Sequence, residues 1–254
     1  MDLTAAGTTA TALSATETTE TAESTESTKS TESTETAEST ESTETAESTE
    51  TAETAESTET AETAPLKVAV ILASNREGRF APVVAGWFRS RSDGHPGIET
   101  DLLDVAALDL PTALSRRPGP EDQAVLAEVA GRLSAADAFV VITPEYNHSY
   151  PAPLKNLIDW HFTEWQAKPV AFVSYGGVSG GLRAVEHLRQ VFAELHAVSV
   201  RDTVSFHNAG ALFDDEGRHR DPVGPDAAAK SLLDQLVWWG RALRAARAAH
   251  PYGG

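Results

Sequence analysis

Residues 65–254 predict a doubly wound α/β fold: five parallel strands in the order 2-1-3-4-5, with helices on both faces of the sheet. Three observations carry this. Short β-branched apolar runs recur between turn residues, stretches with helical spacing separate them, and loops rich in polar residues, Gly or Pro follow the strands. A segment of this length is ample for one core, so one domain is the economical count.

The elements follow in order. Val68–Ala73 reads as strand one and Pro82–Arg91, with Pro at its start, as the helix behind it. Ile98–Leu103 is the second strand and Glu121–Leu133 the next helix. Phe139–Thr143, then Pro153–Phe162, then Val170–Ser174 continue the alternation, and Leu182–His196 precedes a fifth strand at Val198–Val204. Residues 205–224 carry His207, Asn208, Gly210, Asp214, Asp215, Gly217 and Pro222, too many turn formers for regular structure, and read as a loop over one edge. Asp226–Ala249 closes the chain as a long amphipathic helix.

Residues 1–64 differ in kind. The formal net charge of the chain is −18, but this segment holds Asp2 and fifteen Glu against Lys29, a net −15, which leaves −3 for residues 65–254. Glutamates recur every third residue from Glu17 to Glu62, broken only at Lys29, with Thr, Ser and Ala between them. A three-residue period spreads the acids over all faces of a helix, and no large apolar side chain from residue 14 to 64 can form a core, so a disordered acidic low-complexity tail is expected. No basic-then-apolar leader begins the chain and no apolar run reaches a bilayer span, so the expected location is cytoplasmic, with no membrane partner. The chain has no Cys, which excludes disulfides, thiolate nucleophiles and Cys-ligated metals. Redox chemistry would need a cofactor.

Ligands of an open parallel sheet bind beyond the carboxyl ends of its strands, where strand order reverses. Three loops should meet there. The first, Ser74-Asn75-Arg76-Glu77-Gly78-Arg79-Phe80, offers a hydroxyl, two guanidinium groups and a helix N-terminus, a set suited to a dianionic phosphate. It lacks the spacing of a nucleoside-triphosphate loop and of the Gly-x-Gly-x-x-Gly turn. The second, Thr143-Pro144-Glu145-Tyr146-Asn147-His148-Ser149-Tyr150-Pro151, presents a stiff, flat surface with polar groups, fit for a planar heterocycle. The third, Ser174-Tyr175-Gly176-Gly177, brings backbone N–H groups close without intervening side chains.

Thr143–Trp160, with its Pro-Glu-Tyr-Asn loop and following Leu-Lys-Asn-x-Ile-Asp helix, resembles the NADPH-dependent FMN reductase family, as do the Ser74–Arg79 and Ser174–Gly177 loops. The resemblance covers about residues 66–204 and implies a flavodoxin-like domain with bound FMN, NADPH or NADH as donor, and two-electron transfer to a small acceptor such as flavin, quinone or azo compound. It implies that Ser74, Arg76, Arg79 and Phe80 belong to the phosphate side. By the same resemblance, Pro144, Glu145, Tyr146 and Asn147 lie along the isoalloxazine ring, and Ser174, Tyr175, Gly176 and Gly177 at its pyrimidine edge. The chemistry would be the cofactor's, with no protein catalytic residue.

Blander roles compete at several positions. Glu145 is also suited to capping a turn, Lys155, Asn156 and Asp159 to helix contacts, and His148 to solvent. Arg183 and Arg189 are placed either on a solvated helix face or near a nucleotide 2′-phosphate. His161, His187 and His196 have no metal-site spacing, and no metal is expected. Trp160, Trp165, Trp238 and Trp239 make the helices more apolar than a monomer needs, which with the resemblance predicts a homodimer; no nucleic-acid partner is expected. The rival readings are a flavodoxin-type electron carrier, disfavoured by Arg76 and Arg79, and a non-enzymatic flavin-binding interaction module.

Overall fold

The computed structural model describes residues 64–253. The acidic segment read above as a tail lies outside the described residues apart from Ala64.

The strands are β1 (Leu66–Leu72), β2 (Ile98–Asp104), β3 (Ala138–Pro144), β4 (Pro169–Tyr175) and β5 (Val198–Phe206). They form one parallel sheet in the order β2-β1-β3-β4-β5. The helices are α1 (Ala81–Ser92), α2 (Pro120–Ala135), α3 (Ala152–Trp160), α4 (Leu182–Glu194), α5 (Ala209–Leu212) and α6 (Val223–Ala249). Two single 3-10 turns, Val105–Ala107 and Thr163–Trp165, complete the regular structure among the described residues.

Alternation along the strands divides the core into two layers. On one face Val68, Val70 and Leu72 pack with Val84 and Phe88 of α1 and Leu232 and Leu236 of α6. On the other, Ala69 and Ile71 meet Leu133 of α2, Leu154 and Leu157 of α3, and Leu188 and Phe192 of α4. β3 and β4 are buried along their whole length, as central strands covered on both faces must be. Proline marks the helix starts: Pro82 in the first turn of α1, Pro120 opening α2 and Pro153 in the first turn of α3.

One expectation fails in part. The stretch 205–224 is not all loop: β5 runs on to Phe206, α5 follows, Phe213 and His219 form an isolated antiparallel bridge, and α6 begins at Val223. Its turn formers are real, but Phe206, Ala209 and Phe213 are buried and turn the segment into a packed cover over the α1 face. Trp165 is a second correction. It is fully buried between Phe139 and Phe192 and donates its indole N–H to His161 O at 2.8 Å, so it belongs to the core and not to a dimer surface. Trp238 is the exposed member of the four, 64% accessible. No helix among the described residues is long and apolar enough to cross a membrane.

Candidate functional site

Strand order reverses between β1 and its two neighbours, β2 and β3, so the loops after β1, β3 and β4 converge at the carboxyl edge of the sheet. All three candidate loops lie there.

The loop after β1 is organised by buried polar contacts. Ser74 is wholly covered, its hydroxyl 2.6 Å from Tyr146 Oη of the β3–α3 loop, and it accepts a long bond from the Arg76 N–H. Arg79 donates to Ser74 O at 2.5 Å and grips both carboxylate oxygens of Asp104 at the end of β2. The Asp104 carboxylate also accepts the Ala106 N–H, capping the 3-10 turn that follows β2. Burial opposes the Asp104 charge, but the Arg79 hydrogen bonds, the Ala106 N–H and the Arg79 charge together hold this carboxyl below its usual range; the Asp104 contact raises the Arg79 guanidinium. Phe80 packs against Tyr175 and Phe213. Arg76 is exposed, and the N–H groups of Asn75, Glu77, Gly78, Phe80 and Ala81 donate to nothing else among the described residues. These donors lie at the start of α1, where the helix N-terminus favours negative charge.

The loop after β3 is a tight hairpin. Tyr146 and Ser149 exchange both backbone hydrogen bonds, at 2.8 and 3.1 Å, and the two residues between them, Asn147 and His148, take the left-handed conformation at φ 49° and 74°. Asn tolerates that conformation well. Pro144 is buried at the end of β3, paired with Tyr175, while Asn147 and His148 face solvent. The Glu145 side chain is 6% accessible and holds the first turn of α4, accepting the Arg183 N–H at 3.1 Å and its guanidinium at 2.9 Å. Burial would raise its carboxyl; hydrogen bonds from Ser179 and Arg183 prevail and keep it low. Lys155 and Asp159 pair with one another one turn apart. Arg189 is spent on the carbonyls of Val200 and Arg201, along β5.

The third loop has a polarity that no residue-by-residue reading shows. Every carbonyl from Gly176 to Gly181 accepts a bond from within the domain. Gly176 O takes the Ala209 N–H (3.0 Å), Gly177 O the Asn208 N–H (2.8 Å), Val178 O the His207 Nδ1–H (2.8 Å) and Ser179 O the Leu182 N–H (3.1 Å). Gly180 O takes the hydroxyls of both Ser174 and Ser205 at 2.8 Å, and Gly181 O the Val185 N–H at 3.1 Å. The N–H groups of Gly177, Val178 and Ser179 have no acceptor among the described residues. Carbonyls in and N–H groups out make a donor surface. Gly181 has φ +87°, and a Cβ there would lie 2.7 Å from Ser174 Cβ, so only glycine lets α4 start this close to β4.

A model of the NADPH-dependent FMN reductase family matches residues 66–211, more than half of the chain. The chain belongs to the NADPH-dependent FMN reductase family. It is 32% identical over 178 residues to an NADPH:quinone oxidoreductase of Arabidopsis thaliana, covering 66% of this chain and 89% of that protein. To an NAD(P)H-dependent FMN reductase of Schizosaccharomyces pombe it is 34% identical over 122 residues, 45% of this chain and 60% of the other. Among solved structures it is similar to a flavoenzyme NAD(P)H:(acceptor) oxidoreductase from Paracoccus denitrificans. The TM-score is 0.56 at 24% identity, over 70% of this chain and 98% of that one, a likeness of fold. The fold of this member is thus flavodoxin-like.

The three loops that the sequence nominated come together, but several of their side chains are engaged with one another. Ser74 is covered by Tyr146, Arg79 is held by Asp104, and Glu145 by Arg183. Asp104, Ser205 and His207 were not singled out as site residues. Gly180-Gly181 was a visible signal for the close approach; nothing local marks Asp104, a strand-end acid whose partner lies twenty-five residues earlier.

Proposed function

We propose that the domain at residues 65–254 binds FMN across these loops and works as an NAD(P)H-dependent FMN oxidoreductase, in the cytoplasm and as a homodimer. The observation that carries the flavin reading is the pair of donor surfaces: unpartnered N–H groups around Arg76 at the start of α1, and those of Gly177 to Ser179 after β4. A phosphate monoester fits the first and the acceptor-rich pyrimidine edge of an isoalloxazine fits the second.

In this arrangement Arg76 and the loop N–H groups hold the phosphate, while Ser74, Arg79 and Phe80 shape the loop that presents them. Pro144, Glu145, Tyr146 and Asn147 set one wall along the ring; Ser174, Tyr175, Gly176 and Gly177 carry the loop at its polar edge. When bound, FMN would supply two-electron chemistry between a reduced nicotinamide and a small acceptor such as a quinone or another flavin. The protein's N–H groups at the pyrimidine edge favour negative charge there and so favour the reduced form.

The test is direct. Residues 65–254 are purified and titrated with FMN, then reduced anaerobically with NADPH and with NADH while the flavin absorbance is followed. Bleaching with either nucleotide is expected; FMN that binds without bleaching points to an electron carrier, and no flavin binding defeats the reading. Light scattering should give twice the single-chain mass at micromolar concentration.

A further inference from the structure

We propose that His207 is a positioning residue for the loop after β4, fixing the Ser179 N–H toward the pyrimidine edge of the flavin; the inference rests on the flavin reading above. In a planar trans peptide unit the carbonyl and the following N–H point in opposite directions. Val178 O and Ser179 N belong to one such unit. The His207 ring bonds Val178 O at 2.8 Å, so the contact turns that carbonyl inward and the Ser179 N–H outward. A carbonyl cannot donate, so Nδ1 carries the proton.

The contact is singular within the loop. Gly176 O, Gly177 O, Ser179 O and Gly181 O are held by backbone donors, and Gly180 O by two hydroxyls, so each survives the loss of a side chain. Val178 O depends on one imidazole. Val178 itself is the exposed tip, 88% accessible, with no packing of its side chain to hold the peptide plane.

Glycine geometry supports the same assignment independently. Gly180 has φ +62°, and a Cβ on it would sit 2.5 Å from Ser205 Oγ and 2.7 Å from His207 Cδ2. The loop is therefore laid directly on these two side chains at the end of β5. His207 Nε2 lies 3.4 Å from Ser205 Oγ, whose own proton goes to Gly180 O, so the pair holds two carbonyls of the loop, Val178 O and Gly180 O.

Substitution separates the donor from the bulk. Asn places an amide N–H where His carries Nδ1, whereas Leu has no donor and Gln extends its amide past the Val178 carbonyl. Apoprotein is titrated with FMN and with riboflavin by fluorescence quenching, the midpoint potential of the bound flavin is measured, and thermal melting checks the fold. His207→Leu and His207→Gln should raise both dissociation constants about tenfold, the loss of one hydrogen bond to a charged or polar edge. The potential should move to more negative values, and His207→Asn should stay within about threefold of wild type. Should His207→Leu fail to fold, His207→Gln gives the same comparison. Wild-type affinity and potential in His207→Gln, or no recovery in His207→Asn, would overturn the assignment. Failure of the unsubstituted protein to bind flavin would defeat the flavin reading, and this inference with it.

Discussion

The Tyr146 phenol meets the Ser74 hydroxyl at 2.6 Å, tying the hairpin after β3 to the loop after β1. Seventy-two residues separate the two in sequence. Ser74 is fully buried, so removing its partner leaves its covered hydroxyl with the 3.4 Å bond from the Arg76 N–H and the neighbouring Tyr175 phenol. Tyr146→Phe should cost roughly 1–3 kcal/mol of stability, and FMN binding should weaken by about tenfold as the two loops lose their tie. Calorimetry and an FMN titration measure the two effects; an unchanged melting temperature with unchanged affinity would show that the contact is incidental.

Arg79 and Asp104 set the charge beside the proposed phosphate site. Arg79→Met leaves the Asp104 carboxylate unpaired beside the site, where it repels a dianion. FMN affinity should fall by about ten- to a hundredfold, equivalent to 1.4–2.8 kcal/mol, while riboflavin, which lacks the phosphate, should change by less than about twofold. Equal losses for the two ligands would place the Arg79 effect in folding and not in phosphate recognition.

Arg183 offers a different test. Its guanidinium lies on the buried Glu145 carboxylate, which leaves it poorly placed to meet a nucleotide 2′-phosphate. Arg183→Met should therefore keep the ratio of kcat/KM for NADPH to that for NADH within about threefold of wild type, since a guanidinium committed to Glu145 makes no charge-assisted bond to a 2′-phosphate. A selective collapse of NADPH turnover would reassign Arg183 to the nucleotide.

Lys168 predicts how stability varies with pH. Its ammonium donates to Leu133 O and Ser134 O at 2.9 and 3.0 Å, capping the end of α2. Burial, with Arg247 nearby, lowers it from 10.5 to about 8. The folded value lies below the unfolded one, so between these limits the unfolded chain binds more protons and stability rises with pH. The full span corresponds to roughly 3 kcal/mol, so the melting temperature should climb from about pH 8 to 10, and Lys168→Met should flatten that rise. Parallel pH profiles for the two proteins would remove Lys168 as the source. Tyr175, raised by burial, works in the opposite sense only above about pH 10.

The sheet was legible because its signals are local. Val68–Ala73, Phe139–Thr143 and Val170–Ser174 announce strands by β-branched runs, and each observed strand lies within a few residues of its expected place. Trp165 and the stretch 205–224 were misjudged for one shared reason: burial depends on what packs from elsewhere. Phe213 becomes core by meeting Phe80 and Phe206, and Trp165 by meeting Phe139 and Phe192.

By itself the sequence determined the fold, its strand order, the family and the three loops that meet at the carboxyl edge, because periodicity, turn chemistry and motif are properties of neighbouring residues. Tertiary structure alone decided which side chains are free to meet a ligand. Ser74, Arg79 and Glu145 look equally available along the chain, yet Tyr146, Asp104 and Arg183 occupy them. The physical reason is that a buried polar group must find a partner, and the nearest partner in space is set by the packing of the sheet, not by position along the chain.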